Sequence, residues 1–209
     1  STIRMIALSD KSDEDVRFMM FERINTGSAL LKDMEKRKGI FGGKFMDFVY
    51  NECSKHSLFI RNTKFTDRLE KRGEPQELII RFFAYSDSYK EVKTGVNEFL
   101  NDFVEARNKS FDKARYYDEF DKMLKFVDKY LPNGFVKGEK SSKTPRVRFD
   151  ALSVGVNLAI KENPKLKITN TNWLDSKLFN ELITKGGQNA PTAIKNRIEY
   201  VYEKLTSGQ

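Results

Sequence analysis

Cys53 and His56 are the one cysteine and the one histidine of this 209-residue chain. Three residues apart, they share a face if the segment is helical, the spacing a thiolate and its general base could use. A working pair also needs a cleft and a third group to orient the imidazole, and neither is visible in the sequence. A small core cysteine beside a surface histidine is the expectation. The same inventory excludes a C-x-x-C zinc ribbon, an H-E-x-x-H metalloprotease helix and a histidine-rich nuclease motif. Gly39-Ile40-Phe41-Gly42-Gly43-Lys44 approaches a phosphate-binding loop. It is one residue short, however, and Phe45 stands where a metal-binding Ser or Thr belongs, so a helix-starting turn is expected. Asp87 with Glu91-Val92-Lys93 has the order of a nuclease core, but such carboxylates sit on adjacent strands and this stretch reads as helix and loop.

Arg23 and Asn25 fall at the end of a predicted helix, just before Gly27. Arginine offers a planar fork to a phosphate, and asparagine can donate to the same group or hold the turn. The competing use is structural, with Arg23 pairing a helical carboxylate and Asn25 ending the helix. A second cationic feature is the run Lys137, Lys140, Lys143, Arg146 and Arg148, opposed by Glu139 alone and interleaved with Ser141, Ser142 and Thr144. It reads as an exposed loop suited to phosphate contacts, which position a nucleic acid without reading its sequence. Arg61, Lys64, Arg68, Lys71 and Arg72 form another cluster, diluted by Asp67 and Glu70. A merely solvated surface competes in both places, since 38 Lys+Arg against 30 Asp+Glu leaves a modest formal charge of +8. The pair Tyr116-Tyr117 is expected in the core rather than as a base-stacking platform.

Positioning these groups falls to helices. Seventeen phenylalanines and a hydrophobic share of 39% supply a sizeable core, which argues against disorder. No apolar run approaches the roughly 20 residues that span a bilayer, and the start of the chain lacks a signal-peptide pattern. A single cysteine excludes an internal disulfide and fits a reducing, cytoplasmic setting. Val16, Met19, Met20 and Ile24 mark one helical face, ending at Asn25-Thr26-Gly27. Further helices are predicted near Leu30–Lys38, through Phe45–Cys53, from Pro75 through Phe83, at Gly95–Asn108 and at Phe111–Leu131. Pro132-Asn133-Gly134 breaks the last of these. Beyond the basic loop come a helix from Phe149 to Ile160, an entry at Trp173-Leu174, and a final helix with Asn189 as cap, Pro191 in its first turn and Ile194, Ile198, Val201 and Leu205 inward.

Thr2–Leu8 is the exception. Its composition is β-like, yet no convincing partner strand follows. A lone strand leaves its backbone groups unpaired, so a partner in another chain or in a preceding segment is expected. This makes the chain the expected C-terminal part of a larger protein.

Phe21-Glu22-Arg23-Ile24-Asn25-Thr26-Gly27, followed by Leu30 or Leu31 and Glu35-Lys36-Arg37, resembles the F-x-R-I-N-T-G…L…E-x-R signature of the ParB-like domain family of GmrSD-type modification-dependent restriction proteins. Glu77-Leu78-Ile79-Ile80-Arg81-Phe82 and Phe99-Leu100-Asn101 follow in the same order. Arg148-Phe149-Asp150-Ala151-Leu152-Ser153-Val154-Gly155, Trp173-Leu174 and Asn196-Arg197-Ile198-Glu199-Tyr200-Val201 are similar to the tail of shorter members. The resemblance spans nearly the whole chain, and F-E-R-I-N-T-G is its most specific block. Family members carry a D-G-Q-Q-R motif, implicated in nucleotide binding and hydrolysis, in an α/β portion upstream. That run is absent here, and Thr2–Leu8 takes the place of the last strand before the F-x-R-I-N helix.

The resemblance therefore implies that Arg23, Asn25 and Thr26 complete a nucleotide pocket whose remainder lies in a ParB-like N-terminal portion. A nucleoside triphosphate with Mg belongs to the parent protein, an NTPase or nuclease-associated protein, while this chain holds no cofactor and no catalytic residue of its own. Glu35 and Arg37 read as a structural ion-pair set. Arg81, amid Ile79, Ile80, Phe82 and Phe83, needs a structural partner if it is buried. The expected fold is mainly α, a helical bundle following the ParB-like core: residues 1–135 the helical part of the family domain, 136–148 a basic inter-lobe loop, 149–209 a small helical C-terminal lobe. The leading expectation for function is a DNA-associated module of a nucleotide-dependent restriction or phage-defence protein, without membrane contact and compatible with a homo-oligomer. The alternative is a structural or protein-interaction domain that touches no nucleic acid. An intrinsic endonuclease is disfavoured because no metal-binding carboxylate set can be assembled from these residues.

Overall fold

The structure is a computed structural model that describes residues 33–93 and 95–207, with backbone alone at 33, 35 and 36. The strand expected at Thr2–Leu8 and the helix expected through Ile24 lie outside the described residues. Ten α-helices and three short 3-10 helices follow one another, with no strand among the described residues. They are α1 (Asp33–Ile40), α2 (Lys44–Asn51), α3 (Ser57–Asn62), α4 (Asp67–Lys71), α5 (Glu74–Ser88), α6 (Val96–Lys109), α7 (Lys113–Tyr130), α8 (Arg146–Glu162), α9 (Lys177–Thr184) and α10 (Pro191–Thr206). The mainly helical fold class thus agrees with the sequence. No helix among the described residues is long and apolar enough to cross a membrane.

Local chemistry sets the helix ends. The α2 amino terminus is closed by Asn108 of α6, whose Oδ1 accepts from the Phe45 and Met46 amides at 3.0 and 3.3 Å while its Nδ2 donates to the Phe41 carbonyl at 3.0 Å. The His56 ring nitrogen Nδ1 accepts from Leu58 N at 3.2 Å and so caps α3. Pro75 sits in the first turn of α5, where its missing N–H removes no helical bond. Asp112 and Ser176 cap α7 and α9 through their side-chain oxygens. The cap expected from Asn189 is not made: Ala190 occupies that position, and Pro191 alone marks the start of α10.

Two helices are buried on nearly every side. In α5 the residues from Glu77 to Ser86 are all buried, and in α8 so are those from Arg148 to Asn157. A helix enclosed all round belongs at the centre of a bundle, with its neighbours wrapped about it. Accordingly α8 packs against α5, α7 and α10. The C-terminal segment therefore shares one hydrophobic core with the rest of the described chain, and its first helix begins at Arg146, within the stretch expected to be loop. Phe45 fills one end of that core, edge-on to Phe83, Phe103, Phe111 and Tyr116 with centroids 5.4–6.0 Å apart. Such arrangements each add about 0.5–1.5 kcal/mol beyond burial.

Gly155 allows α8 and α10 to cross closely. A Cβ there would meet Val201 Cβ at 2.6 Å and the Ile198 carbonyl oxygen at 3.0 Å. Replacing a helical glycine gains up to about 1 kcal/mol of propensity, but overpacking this crossing should cost more, about 1–3 kcal/mol. Gly155→Val is expected to lower the urea midpoint; a variant as stable as the parent would show that the helices do not cross here.

Candidate functional site

The polar residues of five motif segments meet inside the bundle. Glu77 and Arg81 belong to E-L-I-I-R-F on α5, Arg37 to E-K-R on α1, Asn101 to F-L-N on α6, Asp150 to R-F-D-A-L-S-V-G on α8 and Arg197 to N-R-I-E-Y-V on α10. Arg37 donates from Nε to Asn101 Oδ1 at 2.9 Å and from Nη1 to Glu77 Oε2 at 2.5 Å. The other Glu77 oxygen accepts from Arg81 Nε at 3.0 Å. Arg81 Nη1 then donates to Asp150 Oδ2 at 3.1 Å, the oxygen that also accepts from Arg197 Nη2 at 2.9 Å. Arg197 Nη1 ends the chain on the Gln188 carbonyl at 2.6 Å.

Each of the five charged members is at most 4% exposed. Three guanidiniums face two carboxylates, so the network is cationic, and Arg37 Nη2, Asp150 Oδ1 and Arg197 Nε have no partner among the described residues. Burial alone would raise the Glu77 carboxyl pKa; Arg37 and Arg81 beside it more than offset this and hold it below the ordinary carboxylate range. Burial likewise acts to lower the Arg81 pKa, and Asp150, Tyr85 and Glu77 reverse it, leaving Arg81 firmly protonated. Such a network fixes four long helices and α1 in register, with all its charged members buried among the described residues. The partner expected for a buried Arg81 is thus present twice over, as Glu77 and Asp150. Arg37 is in an ion pair, with Glu77; the side chain of Glu35 lies outside the described residues, as do Arg23, Asn25 and Thr26.

The basic run divides. Lys137, Lys140 and Lys143 are exposed and make no ion pair among the described residues. Arg146 is bound through Nε and Nη2 to both oxygens of Glu74, each at 2.6 Å. Arg148 lies under the surface at 3% exposure, its guanidinium 5.4 Å from the Phe179 ring centroid, and burial lowers its pKa against the opposing pull of Asp175. Pro145 starts α8 at these two arginines, so both belong to the first turn of a helix, Arg146 exposed on its Glu74 partner and Arg148 buried.

The loop itself is tied down. The Thr144 amide donates to the Lys64 carbonyl at 2.8 Å, Lys64 N donates to Thr144 Oγ1 at 2.9 Å, and Lys64 Nζ donates to the Glu139 carbonyl at 2.7 Å. Ser142 and Glu70 line one hollow with Lys64. Two basic clusters are thereby joined at Lys64 through bonds that span 75 and 80 residues of sequence. Arg68 and Lys71 of α4 are exposed without ion-pair partners among the described residues, whereas Arg61 pairs with Asp128 at 3.3 Å.

The other candidates take structural places. Cys53 is fully buried, and burial pushes its thiol far up from its ordinary pKa, the opposite of an activated nucleophile. His56 uses Nδ1 as a helix cap and sets Nε2 3.3 Å from Asp121 Oδ1. The amides after Gly43 that a phosphate would need are occupied by Asn108. Asp87 accepts from the Tyr116 hydroxyl and from Arg115 Nη2 at 3.3 Å. Tyr116 is buried among phenylalanines, while Tyr117 is exposed. No group of His, Cys, Asp and Glu that could hold a metal ion exists among the described residues.

Asn157 was not conspicuous in the sequence. It is 1% exposed on α8, and neither its Oδ1 nor its Nδ2 has a partner among the described residues. Leaving such a buried amide unpaired costs about 1–3 kcal/mol. A lone amide within the apolar run Val154–Ile160 was the available signal. Comparison with protein-family models, curated proteins and solved structures finds no match to this chain.

Proposed function

We propose that the chain is the C-terminal helical module of a ParB-like, nucleotide-dependent and DNA-associated protein of the restriction or phage-defence type. The observation that carries the DNA-binding part is the set of exposed lysines Lys137, Lys140 and Lys143, without ion-pair partners among the described residues, on a loop tied to the equally exposed Lys64. Cations without carboxylate partners exchange their counter-ions for phosphates at little electrostatic cost. The nucleotide-binding role of Arg23, Asn25 and Thr26 rests on the resemblance of the F-E-R-I-N-T-G block. Chemistry belongs to the parent protein in this reading.

Binding of a short labelled DNA duplex, followed by fluorescence anisotropy across a salt series, tests it. Each lost phosphate contact removes about 0.9 from the slope of log K against log salt, so changing Lys137, Lys140 and Lys143 together to Gln should flatten the slope by about 2.7. Absence of binding at low salt, or a slope indifferent to these lysines, sinks the assignment. A structural or protein-interaction domain is the second reading, favoured by the burial of the motif residues Arg37, Glu77, Arg81, Asp150 and Arg197.

A further inference from the structure

A groove of about 610 Å³ runs between α7 and the end of α8, continuing along the segment after Pro164. Phe126, Tyr130, Ile160 and Leu166 line it with apolar surface, and Asn157 lies among them with both amide atoms unpartnered among the described residues. Lys129, Lys165 and Lys167 stand along it, exposed and without ion-pair partners among the described residues. The other three lysines of its walls are already committed, Lys122 to Asp118 and Lys125 to Asp121, each at 2.6 Å, and Lys161 to Glu119 at 2.9 Å.

We infer that this groove binds an extended acidic peptide segment of a partner protein. A primary amide carries one acceptor and two donors, which matches the N–H and C=O of one peptide unit, and a rotation about the Asn157 side chain would present both. Apolar side chains of the segment then lie on Phe126, Ile160 and Leu166, and its carboxylates face Lys129, Lys165 and Lys167. A nucleobase would suit an asparagine equally well, but it also needs a free aromatic face. Tyr130 does not offer one: Lys129 Nζ lies 5.0 Å from its ring centroid and the Phe126 ring centroid only 4.7 Å away.

The test uses isotope-labelled protein and three probes: a pool of end-capped synthetic peptides alternating Glu or Asp with Leu or Phe, the corresponding Lys pool, and a thymidine oligonucleotide of equal charge. The acidic pool is expected to shift the Asn157 side-chain amide signals. Asn157→Leu, followed through the backbone amide signals of Leu166 and Lys167, should weaken that binding about ten-fold, as loss of one to two buried hydrogen bonds implies, while leaving the thermal midpoint equal or higher. Should that variant fail to fold, Lys165→Glu with Lys167→Glu, both at exposed positions, should produce a similar loss. Shifts caused by the oligonucleotide and not by the acidic pool would overturn the inference in favour of a nucleic acid. It is overturned equally if no probe moves these signals, if the Lys pool binds as well, or if both variants bind the acidic pool like the parent.

Discussion

Glu77→Ala is expected to destabilise the protein by about 3–5 kcal/mol, the range for removing one partner of a buried ion pair. Glu77 holds two arginines at once, with one oxygen on Arg37 and the other on Arg81. Its removal leaves three buried guanidiniums facing the single carboxylate of Asp150. The loss thus comes from stranded cations more than from a missing attraction, and Glu77→Gln, which restores hydrogen bonding and not charge, should recover only part of it. Urea unfolding of the three proteins measures this. The pH dependence gives a second readout of the same group. The folded-state pKa of Glu77 is depressed, so its stabilising contribution is fully present above the unfolded carboxyl value near 4.3 and is lost as pH falls through the lower folded value. Glu77→Gln should therefore lose part of the acid-induced destabilisation of the parent. A variant as stable as the parent at neutral pH, with an unchanged acid limb, would show that Glu77 is not ionised within this network.

Most helices were legible because their apolar residues recur at helical spacing and their ends carry proline or glycine. The stripe Ile194, Ile198, Val201 and Leu205 is wholly inward, and Pro75 opens α5 as expected. Arg81 was legible in part: a cation within an apolar run demands a partner, yet the identity of Asp150, 69 residues away, depends on helix packing that no local pattern encodes. The basic run misled at Arg146 and Arg148 because polar composition fits a loop and a helix's first turn alike. Here Pro145 was the better signal. The two clusters joined through Lys64 were each visible, but their adjacency requires the Thr144 backbone pairing. The most specific motif block, around Arg23 and Asn25, falls outside the described residues.

Asp150 provides the sharper test of whether these buried charges act as a unit. Its Oδ2 accepts from both Arg81 and Arg197, at 3.1 and 2.9 Å, and the residue is fully buried. Asp150→Ala should also cost about 3–5 kcal/mol. The double variant with Glu77→Ala should not cost the sum. Arg81 is shared by both carboxylates, so once one is gone its position is already perturbed and the second removal acts on a relaxed site. A coupling of about 0.5–3 kcal/mol is expected between residues joined in this way, against additivity within about 0.3–0.5 kcal/mol for independent ones. An urea-unfolding cycle over the parent, both single variants and the double variant reads it directly. Additive losses would mean that Arg81 does not couple α5 to α8. A clear coupling would make Arg81 an energetic link between α5 and α8, the helix that also carries Asn157.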